Sequence, residues 1–278
     1  MIYSAINYMG SKRRLLSQIK PLLPTNINTF YDLFSGSLIV DLNIEAQKYV
    51  TNDLNTEMID LFGFLRGLDN CQITTLMTQA RTLANKDIFY KTRSNYNNNH
   101  NSRDLYLLIT SSFNGIPRWN RKGDYNMPFA NTRRLHSGYY ENKEKKLRAC
   151  IGQLQNMNIE MTSKPYEQVI DLSQLQKNDF VYLDPPYYGT DATYNRQSGW
   201  GEKQEKQVYK YLEQLIDKGV HFAYSNVLTH RGFTNPFLQK FINQHPNEIN
   251  VHHLDMSYKN STYHTKAGKS DEILLTNY

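Results

Sequence analysis

Seven short apolar, β-rich runs recur along this chain: "TFYDLF" (29–34), "KYVTND" (48–53), "IEMTS" (159–163), "FVYLDPP" (180–186), "HFAYSN" (221–226), "INVHHL" (249–254) and "EILLTNY" (272–278). Helix-like text separates them. Residues 202–219 place Val208, Tyr211, Leu212, Leu215 and Ile216 at helical spacing, with Gly219 positioned to cap the C-terminus. Strands alternating with helices predict an α/β domain built on a largely parallel sheet. Ligands of such sheets sit beyond the carboxyl ends of the strands. That is where "DLFSGS", "TNDLN" and "DPPYY" fall, so three polar strand tips are expected on one edge.

The sharpest of these tips is Asp184-Pro185-Pro186-Tyr187, which follows the apolar run 180–183. Proline cannot donate to a sheet ladder, and it pushes the residue before it into extended geometry. The segment therefore reads as a strand whose end is held rigid, presenting a carboxylate and an aromatic ring. The plainer alternative is a strand followed by an ordinary proline turn.

Residues 61–144 break the alternation. Helix-like text ("CQITTLMTQARTLA") gives way to an Asn-rich stretch at 95–101, expected as a surface loop, and then to a basic, turn-like segment. Within it "RWNRKGDYNMPF" alternates around Lys122-Gly123-Asp124, which predicts a hairpin. Charge singles out the same region. Residues 118–149 hold nine of the 32 Lys/Arg and three of the 26 Asp/Glu, so the rest of the chain balances at 23 of each and the net +6 sits here. A basic block can be a solvated face. This one is interleaved with Trp119, Tyr125, Phe129, Tyr139 and Tyr140, a mixture that suits phosphates and bases. The expected organisation is a discontinuous α/β domain, 1–60 and 145–278, with 61–144 inserted.

Other classes recede. The first residues lack the apolar core of a signal peptide, and no run approaches a membrane-spanning length. Cys71 and Cys150 have no metal-ligand spacing; they read as two packed thiols of a reducing compartment.

The remaining tips suit a nucleoside that carries an amino acid. In "YDLFSGS", Gly36 can take positive φ and let a ligand lie against the backbone. A phosphate-binding fingerprint would need more glycines and often a following lysine, both missing here. Asp53, at the next strand tip, can accept ribose hydroxyls. Upstream, Tyr8, Gly10 and Lys12 precede a helix and could hold a carboxylate-bearing ligand.

The series "YMGSK", "DLFSGS", "TNDLN", "FNGIPRWNRKGDYNMPF", "DFVYLDPPY", "SNVLTHRG" and "SDEILLTNY" resembles, in order and over nearly the whole chain, the Dam-type (D12 class) DNA adenine-N6 methyltransferases, among them phage enzymes and GATC-modifying enzymes of restriction systems. The resemblance implies a Rossmann-like S-adenosylmethionine-dependent methyltransferase sheet with an inserted helical and β-hairpin target-recognition domain. It implies that Tyr8, Gly10, Lys12, Phe34, Gly36, Asp53, Tyr166 and Asp184 bind S-adenosylmethionine. Asp184, Pro185, Pro186 and Tyr187 would then act on the N6 of an adenine flipped out of duplex DNA. Phe113 or Asn114 would wedge into the gap, while Arg118, Asn120, Arg121, Lys122, Pro128, Arg133 and Arg134 contact DNA. No metal and no obligatory protein partner are implied; a cognate restriction endonuclease and a bacterial cytoplasm, for a bacterial or phage-encoded enzyme, are. Where the family has two glycines this chain has Gly36-Ser37, and where the family has "PFG" it reads "PFANTRR", with Ala130 and Asn131 ahead of the two arginines. GATC is the expected target, with a different adenine-containing site or a structured RNA base as alternatives.

Overall fold

In a computed structural model of the chain, which describes residues 1–130, 135–189, 199–255 and 270–278, the strands are β1 (Ile27–Asp32), β2 (Ala46–Asn52), β3 (Ile159–Thr162), β4 (Phe180–Leu183), β5 (His221–His230), β6 (Phe233–Thr234), β7 (Asn250–Leu254) and β8 (Ser270–Thr276). All seven anticipated strands are present, and the two-residue β6 was not anticipated. The chain forms two compact units. The first comprises Met1–Arg13, Ser35–Ile44 and Asp53–Ser163; the second comprises Arg14–Phe34, Glu45–Asn52 and Lys164–Tyr278.

The second unit holds a mixed sheet in the order β2-β1-β4-β5-β8-β7, with β6 on β5. Pairing is parallel from β2 through β5 and antiparallel from β5 through β8 to β7. The four residues of β4 are all buried, as expected of an interior parallel strand that reads as one apolar run. Phe30 stacks on Phe180 and Tyr182 across the β1–β4 pair, at 6.0 and 6.3 Å between ring centroids. Helix Glu202–Asp217 buries Val208, Leu212 and Leu215 in a core shared with Leu183 and Phe222. Each such leucine contributes roughly 2 kcal/mol of burial. The helix stops where Gly219 turns left-handed at φ +64°, its N–H donating to the Ile216 carbonyl and that of Val220 to Leu215. Chain order reverses between β1 and β4, the switch point at which open α/β sheets bind ligands.

The first unit is mainly helical: Thr56–Arg66, Asn70–Thr82, Lys86–Asn99, Ser102–Ser111 and Ser137–Asn156, together with β3. Every residue from Leu105 to Ser111 is buried, which makes Ser102–Ser111 the core helix of this unit. The segment 61–144 lies within this unit, and helix Ser137–Asn156 runs through the expected boundary at 144/145.

Two expectations need correction. The Asn-rich stretch is not a loop: Lys86–Asn99 is helical, and only His100, left-handed at φ +50°, breaks it before Asn101 caps the next helix. Asparagines there cap ends and bond to neighbouring backbone, which composition alone does not separate from loop usage. The cysteines are not alike either; Cys150 is buried and Cys71 exposed. Among the described residues, no helix is long and apolar enough to cross a membrane.

Candidate active site

Register places the tip at 184–187. In the second unit Leu33 N–H donates to the Tyr182 carbonyl at 3.1 Å, so Phe34 and Asp184 leave adjacent parallel strands at nearly the same level. Pairing of Leu183 with Tyr224 brings the end of β4 beside Ser225 on β5. The chain then leaves the sheet at Pro185 and Pro186. Tyr187 folds back, its hydroxyl donating to Asp184 Oδ1 at 3.0 Å and lying 3.3 Å from Ser225 Oγ. Burial, then the charges of Asp184 and Glu272, push the Tyr187 phenol well above its ordinary value, so it stays protonated and remains a donor. These contacts of Tyr187 form a strut that sequence reading missed. Ser225 and Glu272 lie in the quoted stretches "SNVLTHRG" and "SDEILLTNY", but their approach to the tyrosine is set by strand register.

Aromatic residues gather beside β1 in the same unit. Phe34 lies 5.2 Å from Tyr166 and 5.8 Å from Trp200, measured between centroids. Trp200 was not foreseen, because it sits far from any strand tip in sequence. It is held by a 2.8 Å hydrogen bond from Nε1 to Glu205, a buried carboxylate that also accepts from Tyr209 and Asn235. Asn52, at the end of β2, ties the strand ends together: its amide donates to the carbonyls of Leu33 and Lys164 at 3.1 and 3.0 Å.

The first unit gathers the other expected cofactor residues. Asp53 is buried and accepts two backbone N–H groups at 2.8 Å, Gly36 on Oδ2 and Asn55 on Oδ1. Burial raises its carboxyl above the ordinary value, against the lowering effect of those two donors. Gly36 is left-handed at φ +48°, and a Cβ there would sit 2.9 Å from the Tyr8 ring. The glycine is therefore required twice, by its dihedral and by the ring against it. Lys12 is buried, with Nζ 3.3 Å from the Gly10 carbonyl. Tyr8, Gly10, Lys12, Gly36 and Asp53 thus cluster in one unit, and Phe34, Tyr166 and Asp184 lie in the other. The division cuts between Phe34 and Ser35 and between Asn52 and Asp53, so covalent neighbours belong to different units.

Residues 8–262 match the family model for the D12 class N6 adenine-specific DNA methyltransferases. The chain belongs to this family. It is 36% identical over its whole length to the modification methylase StsI of Streptococcus sanguinis and to the type II methyltransferase M.FokI of Planomicrobium okeanokoites, covering 43% of each. The chain therefore spans less than half the length of these relatives. The DNA adenine methylase of Salmonella typhi is 25% identical over 80% of this chain and 79% of its own.

The basic segment lies in the first unit. Its hairpin is real. Trp119 bridges Tyr125, Asn120 N–H donates to the Asp124 carbonyl at 2.8 Å, and Gly123 turns at φ +86°. Asn120 Oδ1 accepts the N–H groups of both Lys122 and Asp124, so this side chain is spent on the turn. Arg121 and Lys122 are exposed at the tip. Arg118, also exposed, is braced by Asn126 through Nε at 2.7 Å and Nη2 at 3.1 Å. The root is buried: Tyr125 hydrogen-bonds Ser112 at 2.6 Å, and Asn97 accepts the Tyr125 N–H at 2.8 Å. Asn97 belongs to the stretch expected to be loop. Trp119 Nε1 donates to Tyr96, whose hydroxyl bonds Glu57.

Phe113 is 49% exposed, which excludes a core role, and its N–H donates to the carbonyl of exposed Pro128 at 2.9 Å. Beside it Asn114 is left-handed at φ +60°. Arg133 and Arg134 lie outside the described residues.

Proposed function

We propose that the chain transfers a methyl group from S-adenosylmethionine to N6 of an adenine flipped out of a short duplex DNA site, with GATC as the first target to test. The observation that carries this reading is the braced tip at 184–187, where a carboxylate, two prolines and an anchored tyrosine end a buried strand beside the sheet's switch point. An exocyclic adenine amine is a poor nucleophile because its lone pair is delocalised into the ring. Asp184 and the backbone carbonyl of Pro185 accept hydrogen bonds from the two N6 hydrogens and draw the lone pair out of the ring plane. The Tyr187 ring stacks on the base, held in plane by its hydroxyl. Rigidity set in advance by Pro185 and Pro186 supplies catalysis mainly through position and electrostatics. Asp184 need not abstract a proton, since the N6 proton can depart to solvent after transfer.

The residues fit the proposed cofactor. Its adenine suits the Phe34, Tyr166 and Trp200 rings, its ribose the second lone pairs of the Asp53 oxygens, and its methionine carboxylate Lys12 and the glycine turns at Gly10 and Gly36. When bound it supplies an activated sulfonium methyl, leaving as the thioether.

A base inside a duplex cannot reach such a tip, so extrusion at a cost of a few kcal/mol is part of the reading. Phe113 and Asn114 fill the vacated space. Arg118, with Nε and one Nη2 hydrogen used by Asn126, offers its Nη1–Nη2 edge to guanine, while Arg121 and Lys122 meet phosphates. Pro128 clamps the wedge turn through its carbonyl, and Arg133 and Arg134, outside the described residues, remain proposed DNA contacts from the family resemblance.

A second reading keeps the reaction and moves the target. It is favoured by the closer match to the two modification methylases than to the DNA adenine methylase, and by "PFANTRR" in place of "PFG". Transfer of labelled methyl to duplexes containing GATC, each single-base change in it, other adenine sites or no adenine separates the two. Label on GATC alone supports the first; label on another adenine site supports the second. Label on structured RNA but no duplex defeats both.

A further inference from the structure

Lys143 is buried to 9% exposure on helix Ser137–Asn156, yet among the described residues no carboxylate or hydrogen-bond acceptor pairs with it. Its ammonium lies 5.9 Å from the centre of the Tyr139 ring. A Cβ on Gly115 would sit 3.5 Å from Lys143 Nζ and 3.4 Å from Asn7 Nδ2, so an ammonium and an amide converge on the bare α-carbon of a glycine at φ +62°. The Asn7 amide donates to the Asn114 carbonyl at 2.9 Å and so holds the turn that exposes Phe113. Nearby charge does not relieve the lysine. Glu144 is committed to Arg148 at 2.7 Å, and Lys146 adds repulsion. Burial, then Lys146, depresses the ammonium to about 8.

A cation kept nine-tenths buried without a counter-ion is poor structural economy, since an apolar side chain of equal length would pack there at no electrostatic cost. The arrangement becomes favourable when an anion arrives. Exposed lysines of this basic block, such as Lys122, meet phosphate as screened point charges. Lys143 would meet it from a low-dielectric wall, where one contact counts for more.

We propose that Lys143, with the Asn7 amide beside Gly115, forms a seat for one DNA phosphodiester directly under the Phe113–Gly115 wedge turn. It would grip the backbone next to the extruded nucleotide. The proposal rests on the duplex-DNA reading above and adds a positioning contact to it.

The test is the salt dependence of duplex affinity for the full chain, measured by anisotropy on a labelled duplex that the wild type methylates. Lys143→Met should shrink the salt slope by about one, weaken binding about tenfold near 0.1 M salt, and leave S-adenosylmethionine affinity and Tm unchanged or Tm higher. Lys143→Arg should restore the slope. A Lys143→Met chain with the wild-type slope overturns the seat, as does one that no longer folds, because the ammonium would then serve the fold. A wild-type chain that neither binds nor methylates any duplex defeats the functional reading itself, a distinguishable result.

Discussion

The tip at 184–187 and the hairpin at 118–126 both present polar groups from the end of β-structure, but they are held by different means. The tip grows from a fully buried strand, and its own residues brace it: two prolines remove backbone freedom, and Tyr187 bonds Asp184 and Ser225. The hairpin has two bridged residues and an exposed end. Its order comes from outside, through Asn97, Ser112 and Tyr96 at its root. In the proposed function, the group that holds one nitrogen in one geometry is built into the sheet. A group that must meet a variable backbone is set on a short arm with a fixed root. In the proposed function the first sets the chemistry and the second sets the sequence read.

Substitutions can break that contrast. Asp184→Ala should lower methyl transfer by on the order of 10³-fold while duplex affinity and its salt slope stay near wild type; turnover within a few-fold of wild type would remove the tip from the chemistry. Arg118→Ala should cost about 1–3 kcal/mol of discrimination at one base pair and leave S-adenosylmethionine affinity unchanged. An unaltered target profile in the same duplex panel would take Arg118 out of the interface.

Gly36→Ala tests the cofactor turn. With φ +48° and a Cβ 2.9 Å from the Tyr8 ring, it should cost about 1–2 kcal/mol in stability and weaken S-adenosylmethionine binding by calorimetry. Equal affinity and equal Tm would show that the turn relaxes freely.

The smallest effect concerns Asp53. Its carboxyl is raised in the folded chain, so the folded state holds the proton more tightly than the unfolded one. Its contribution to stability is unchanged below the unfolded value and declines as pH rises through the folded one. Asp53→Asn cannot titrate, so Tm of the variant minus that of the wild type should become more positive as pH rises from about 4, the ordinary carboxylate value, through the raised folded one. A constant difference across that range would contradict the buried, raised carboxyl.

What could be read in the sequence follows the same contrast. Strands showed through as apolar runs, and the tip as a proline pair after one of them, because both are local constraints on backbone geometry. Gly36 and Gly219 were legible for the same reason, and both are left-handed. The approach of Ser225 and Glu272 to Tyr187, and the places of Trp200 and Asn97, were not, since each depends on register or helix packing between segments distant in sequence. The Asn-rich helix failed for a related reason: asparagine favours loops and helix caps alike, and only the fold decides between them.

The most direct measurement of the central claim is mass-spectrometric detection of N6-methyladenine in a duplex panel after incubation with S-adenosylmethionine, for wild type and Asp184→Ala side by side. The account predicts N6-methyladenine at one adenine-containing site with the wild type and its near-complete loss with the variant. N6-methyladenine formed equally by both chains, or by neither on any duplex, would contradict it.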